Sequence, residues 1–352
     1  MTQPSFGIFD HIEDIPGTPT SQLLKDRLAL VKTADEAGFS GYYFAEHHGS
    51  DLCMTPSQEL FIAAASQMTS QIRLGPMVKL LPMHPPVQLI EDLCVLDHLT
   101  EGRLDYGVGR GAVPVEHYWF GDSWPQSRER FVDVLRIIQH ALDTEEISSE
   151  GSTFYDFPTM PMSTRPYQER IPFWYPGNPV AAGQYGLSLM WPGKIDQAAY
   201  EQYVEAWHRH KDDELRLDGP DSEPRVAYNV VLAIAPTEDE AQEIARRGMA
   251  GLVRRTRAAH RFDRLVISEE ECDAAQGPLR AIIASMEPAI SFGAGTPGQI
   301  AERLAAVLED GLSDYICFML PTGDMTLYEA RRTLDLFITE VKPQLEQVTA
   351  SR

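Results

Sequence analysis

Two hydrophobic periods alternate through the first half of the chain. Short apolar runs at 5–9 (SFGIF), 41–46 (GYYFAE), 72–81 (IRLGPMVKLL) and 103–109 (RLDYGVG) read as buried strands. Between them, apolar positions recur at helical spacing. One such stretch is 21–37, with Leu24, Leu28, Val31, Ala34 and Ala37 on one face and Gly38 as a stop. Others are 55–68, opened by Thr55 as N-cap and Pro56 at the first helical position, 85–99 and 127–142. This β-α rhythm predicts right-handed crossovers and a parallel sheet.

Residues 143–171 carry few periodic apolar positions and read as irregular. Strands are expected again at 171–176, 187–191, 225–236 and 314–319, and helices at 196–217, 237–261 and 326–347. About eight strands and about eight principal helices favour a closed (β/α)8 TIM barrel over an open doubly wound sheet. One domain is expected over 1–352, interrupted by an insertion near 262–296.

Composition narrows the function. Lys and Arg number 30 against 52 Asp and Glu, a formal charge of −22. Such a chain has no general attraction for nucleic acid or anionic lipid. No apolar run is long enough to span a bilayer, and the start, MTQPSFGIFDH, lacks the basic flank and apolar core of a secretory leader. The four cysteines, Cys53, Cys94, Cys272 and Cys317, form no C-x-x-C pair, so a reduced, cytoplasmic protein is expected.

In a parallel barrel the chemistry sits at the carboxyl ends of the strands. Those ends deliver Asp10 and His11, then Glu46, His47 and His48, then Met83 and His84. The fourth strand delivers Gly107, Gly109, Arg110, Gly111, Glu116 and His117, and the fifth Tyr175, Gly177 and Asn178. Of the 10 histidines, 11, 47, 48, 84 and 117 fall in these segments, a pattern suited to acid/base work or ligand contact. A metal site is disfavoured. Glu46 and His48 can face one ion from a strand, but His47 points the other way and no H-E-x-x-H completes the set.

The run Gly107-Val-Gly-Arg-Gly111 lacks the spacing of a dinucleotide fingerprint. It reads either as a tight turn at a strand end or as a close backbone approach to a flat or phosphorylated ligand, with Arg110 as cation. Arg128 opens the next helix, where the dipole disfavours a cation. It is either held by an anion or simply solvated. Tyr175-Pro-Gly-Asn178 before a short helix is a candidate anion nest.

Taken in order, these motifs resemble the bacterial-luciferase-like flavin-dependent monooxygenase family. The resemblance is carried by FAEHHG (44–49), by LLPMHPPVQLIEDLCVLDHLTEGRLDYGVGRG (80–111) and by HYWFGDSWPQSRERF (117–131). IPFWYPGNPVAAGQYGLSL (171–189) and GTPGQIAERL (295–304) complete it. It implies a barrel that binds reduced FMN and uses O2 through a flavin hydroperoxide to oxygenate a small apolar substrate. A separate NAD(P)H flavin reductase would supply the reduced flavin to a homodimer. It also implies that His47, Glu46 and Glu116 are catalytic. Gly109, Arg110, Gly111, Arg128, Tyr175, Gly177 and Asn178 would bind the cofactor, over a non-prolyl cis peptide at Met77–Val78. Two other readings share the barrel: a deazaflavin-dependent hydride-transfer oxidoreductase, and a non-catalytic flavin-binding paired subunit. The G-V-G-R-G run has no cysteine, where some light-emitting members carry one, so light emission is not implied.

Overall fold

Strand β1 (Ser5–Asp10) pairs in parallel with β2 (Gly41–Phe44) on one side and with the strand Tyr315–Met319 on the other. In the computed structural model, which describes residues 4–260, 276–277, 279–280, 284 and 292–350, this pairing continues around a nine-stranded parallel sheet. The sheet begins at β3 (Arg73–Pro76), passes through β2, β1 and the strands Tyr315–Met319, Val226–Val231, Ser188–Pro192 and Phe173–Tyr175, and ends at β5 (Tyr106–Gly109) and β4 (Lys79–Leu80). Its first and last strands, β3 and β4, are two halves of one strand separated only by Met77 and Val78. A parallel bridge from Leu74 to Leu104 joins β3 to the residues before β5. The circuit is therefore closed, and the architecture is the expected α/β barrel.

Strand alternation divides the core into two shells. Phe9, Tyr43, Met77, Trp174, Met190, Ala227, Tyr315 and Cys317 pack together inside the barrel. Phe6, Ile8, Tyr42, Phe44 and Leu74 face outward against helices that include α1 (Thr20–Glu36) and α2 (Gln58–Ser66). The outer shell continues under α3 (Pro86–Leu99) and α5 (Ser127–Thr144). Gly75 marks the tightest approach in the wall: a Cβ there would lie 1.7 Å from the Asp105 carbonyl oxygen.

Several boundaries differ from the sequence expectation. Helix α2 starts at Gln58 behind Ser57, so Thr55 is not its cap. The Met54 amide is instead tied to the Ile12 carbonyl, and Thr55 lies beside the Cys53 thiol. The expected strand 225–236 leaves the barrel after Val231, and Ala233–Ile234 pairs with Ala294–Gly295. The stretch read as irregular contains an antiparallel pair, Glu146–Ile147 with Met160–Pro161. The last helix is broken by a π turn at Phe337–Val341, where Phe337 meets the rings of Phe6, Phe39 and Phe318. Most of the insertion expected near 262–296 lies outside the described residues, as does Cys272.

Gly75→Ala should lower the free energy of unfolding in urea by about 3 kcal/mol, because the methyl meets rigid backbone. Gly298→Ala, at a helical position with open space around it, should leave stability unchanged or slightly raised.

Candidate active site

Strand parity sorts the residues at the mouth. Asp10 follows Phe6 and Ile8 outward, accepting the Ile12 amide at 2.7 Å and the Tyr42 hydroxyl at 2.9 Å, with Arg27 at 3.7 Å. It does not join the mouth. His11 does, its ring 6.0 Å from that of His47 and nearly parallel to it. Burial, reinforced by the nearby His47, holds the His11 pKa down at about 3, so this ring is neutral at physiological pH.

His47 and Glu116 follow different strands and meet. Helix α4 (Pro114–Trp119) carries Glu116, whose Oε1 accepts the His48 amide at 2.8 Å and lies 3.3 Å from His47 Nδ1. An oxygen that already accepts a backbone amide can only accept again, so this contact is made through an N–H at Nδ1. The His47 side chain keeps 22% exposure while Glu116 is buried, and Glu116 Oε2 has no hydrogen-bond partner among the described residues.

Glu46 is fully buried and faces donors on every side. Its Oε1 lies 3.0 Å from His48 Nε2 and 2.5 Å from His84 Nε2. Its Oε2 accepts Gln58 Nε2 at 3.1 Å and the Leu80 amide at 3.0 Å, with Lys79 Nζ at 3.7 Å. Burial alone would raise its pKa, but the two histidine contacts and Lys79 hold it far below the usual carboxylate range. The structure supplies the second histidine that the sequence did not reveal: Glu46, His48 and His84 place one potential ligand atom each within 4.8 Å of one another. The Lys79 ammonium opposes a further cation there, and hydrogen bonds already account for the arrangement.

The Met77–Val78 peptide is cis. Gly107 and Gly109 make room for it: a Cβ at 107 would lie 2.4 Å from the Pro76 carbonyl oxygen, and one at 109 would lie 2.3 Å from Val78 Cγ2. The glycines of the G-V-G-R-G run are thus explained first by packing between neighbouring strands. Gly111, at φ +90, forms the turn itself. Gln58 Nε2 also donates to the Val78 carbonyl at 2.9 Å, tying this step to Glu46.

The cationic side of the mouth holds Arg110, Arg128 and Tyr175. Burial lowers the Arg110 pKa and Arg128 adds to this, while Tyr175 opposes it; burial raises the Tyr175 pKa against both arginines. Neither arginine forms an ion pair among the described residues. Gly177 packs on Tyr175, where a Cβ would lie 2.7 Å from the ring. Asn178 caps the six-residue helix α6 (Pro179–Gln184), its side-chain oxygen accepting the Ala181 amide at 3.0 Å. The expected anion nest has therefore already spent one donor on its own cap.

Sequence reasoning missed four contributors. Gln58 and Lys79 sit in an apolar helix and strand, where only their polarity marks them. Trp124 lies under Arg110. His260 ends the helix Glu238–His260, whose Met249, Leu252 and Ala259 pack with Leu52 over the loop that follows β2. Burial lowers the His260 pKa; the bond to the Thr256 carbonyl opposes this, His47 lowers it further and Glu116 raises it. No spacing in the sequence links residue 260 to residue 47. Phe6 and Trp174 belong to the core, and Trp119 is about half exposed.

The luciferase-like monooxygenase profile matches residues 5–314, and the chain belongs to this family. It is 37% identical to the uncharacterised protein y4wF of Sinorhizobium fredii over 48% of each chain. It is 27% identical to the limonene 1,2-monooxygenase of Rhodococcus erythropolis over 64% of this chain and 59% of that one. It is 26% identical to the oxygenase component of the flavin-dependent trigonelline monooxygenase of Acinetobacter baylyi, over 47% of each. The matches thus span about half the length of these curated relatives. Among solved structures, the monooxygenase RslO1 of Streptomyces bottropensis superposes with a TM-score of 0.78 at 22% identity, covering 96% of this chain and 99% of that one. The oxygenating constituent of 3,6-diketocamphane monooxygenase of Pseudomonas putida, in complex with FMN, gives 0.70 at 21%, covering 97% and 99%. An F420-dependent secondary alcohol dehydrogenase gives 0.67 at 17%, covering 98% and 99%. Two of these relatives are named as monooxygenases.

His11 must be neutral in the folded protein and is free to protonate when unfolded. Its contribution is therefore present above the ordinary histidine pKa of 6.5 and is lost as pH falls toward 3. Compared with His11→Asn, the wild type should lose about 3 kcal/mol more unfolding free energy between pH 7 and pH 4. Urea titrations of both proteins across that range measure the difference.

Proposed function

We propose that this protein is the oxygenase component of a two-component system, inserting one atom of O2 into a small apolar substrate with reduced FMN delivered by a separate NAD(P)H flavin reductase. The observation that carries this reading is the pair Arg110 and Arg128, without carboxylate partners among the described residues of a strongly acidic chain, at the same mouth as the His47–Glu116 pair. A phosphate-bearing cofactor fits that donor set: two cations and the Tyr175 hydroxyl lie close enough to influence one another's charge.

Reduced FMN, when bound, supplies the electron pair that activates oxygen. Arg110, Arg128 and the 175–178 loop would hold its phosphate end, and the turn at Gly109–Gly111 with the Met77–Val78 step would shape the bed for its ring. His47 would hold or move a proton at Nε2, with Glu116 fixing the ring through Nδ1. Glu46 would act through the histidines and the backbone it anchors. The neutral His11 beside His47 cannot compete as a cation. The apolar barrel interior below, from Phe9 to Met190, keeps water from the reacting groups.

A homodimer is supported by apolar side chains left on one face of the molecule. Leu60 and Val95, on the mutually packed helices α2 and α3, are 75% and 47% exposed. A reducing, cytoplasmic setting is supported by Cys53, Cys94 and Cys317, all buried free thiols. Among the described residues no helix is long and apolar enough to cross a membrane. We further propose that the whole chain, 1–352, works as one catalytic domain.

Titrated in parallel with FMN and with a deazaflavin, the protein should bind FMN. With a flavin reductase, NADH and a panel of terpenes, aldehydes, ketones and polyketide-like compounds, one atom of 18O2 should enter product. Preference for the deazaflavin, with hydride transfer and no oxygen uptake, would establish the alternative reading. His47→Ala should lower turnover about 100-fold at saturating reduced flavin while leaving flavin affinity unchanged. In sedimentation, Leu60→Arg with Val95→Arg should convert a dimer to a monomer.

A further inference from the structure

The inference here rests on the FMN reading and concerns how its phosphate site is kept charged. Three buried or half-buried arginines elsewhere in this chain face carboxylates: Arg73 pairs with Asp105 at 2.7 Å, Arg216 with Asp218 at 2.7 Å and Arg255 with Asp324 at 2.9 Å. Arg110 does not. Its guanidinium carbon lies 4.2 Å from the centroid of the Trp124 ring. Its one hydrogen bond among the described residues runs from Nη1 to Ser127 Oγ at 3.3 Å.

Trp124 is itself locked. Its side chain is buried at the head of the short turn Trp124–Gln126 that leads into α5, and its carbonyl accepts the Ser127 hydroxyl at 2.6 Å. The His117 ring meets it edge to face, with centroids 5.2 Å apart. His117 Nδ1 is held by Asp122 at 2.6 Å, and Asp122 is held by Arg130 at 2.8 Å. The nearest carboxylate in this chain of contacts is therefore consumed by a histidine and a different arginine.

We propose that Trp124 is the positioning residue for Arg110, its indole face standing in for a counter-ion carboxylate so that the guanidinium is fixed in place with its charge still available to a phosphate end. A carboxylate would orient the arginine equally well but would neutralise it and occupy its in-plane N–H donors. A ring attracts the cation through its face and leaves those donors free.

Riboflavin provides the test, since it has the ring system and side chain of FMN but no phosphate. Both ligands are titrated into wild type, Trp124→Leu and Trp124→Phe by fluorescence quenching, with thermal unfolding recorded for each protein. Trp124→Leu should weaken FMN about tenfold and leave riboflavin within about twofold, while Trp124→Phe, which keeps an aromatic face, should hold FMN within about threefold. If the leucine variant does not fold, Trp124→Met takes its place with the same expectation. Unchanged FMN affinity in Trp124→Leu would overturn the inference. So would equal losses for FMN and riboflavin, or a loss in Trp124→Phe as large as in Trp124→Leu. Wild type that binds neither flavin would overturn the cofactor reading beneath it, a result distinct from the other three.

Discussion

The Glu46 carboxylate is the interaction on which the barrel mouth depends. One buried acid at the end of β2 receives a side chain from α2, a backbone amide from β4 and two histidines from separate loops. Left unpaired, a charge at this depth would be prohibitive. With every oxygen engaged it becomes the point at which three segments are pinned together. Gln58 extends the hold to the interrupted strand through the Val78 carbonyl.

Around that anchor the site separates two electrostatic characters. On one side, His11, His47, His260 and Glu116 form a cluster in which burial holds His11 and His260 toward the neutral form. On the other, Arg110 and Arg128 have no carboxylate partner among the described residues, while Asp122 is committed to His117 and Arg130, and Asp133 to the backbone at 153–154 and to Ser152. A net charge of −22 is therefore compatible with a phosphate site, because the field that matters is local and partly desolvated.

Backbone proximity is the other constraint. Gly75 against Asp105, and Gly107 and Gly109 against residues 76–78, let the third and fourth strands approach closely enough for the split strand to close the circuit. The same glycines had two readings in sequence, turn or ligand approach. Their Cβ positions are already occupied by the protein, so packing is sufficient to require them, and a ligand would meet the surface that this packing creates.

The sequence by itself determined the barrel and the identity of most mouth residues, because both follow from local periodicity: strands end where apolar runs end, and a parallel barrel gathers those ends on one face. The strand-end histidines, the Glu46–His47–His48 run and the cis step at Met77–Val78 were all legible in this way or from ordered motifs. Tertiary structure alone decided which of them meet. Asp10 and His11 are adjacent in sequence, yet strand parity sends one to the helix layer and the other to the mouth. His84 completes the Glu46 cluster from 38 residues away, and Trp124 finds Arg110 through a turn that carries no periodic signal. Such meetings depend on side-chain direction and on contacts between distant segments, which no one-dimensional spacing contains.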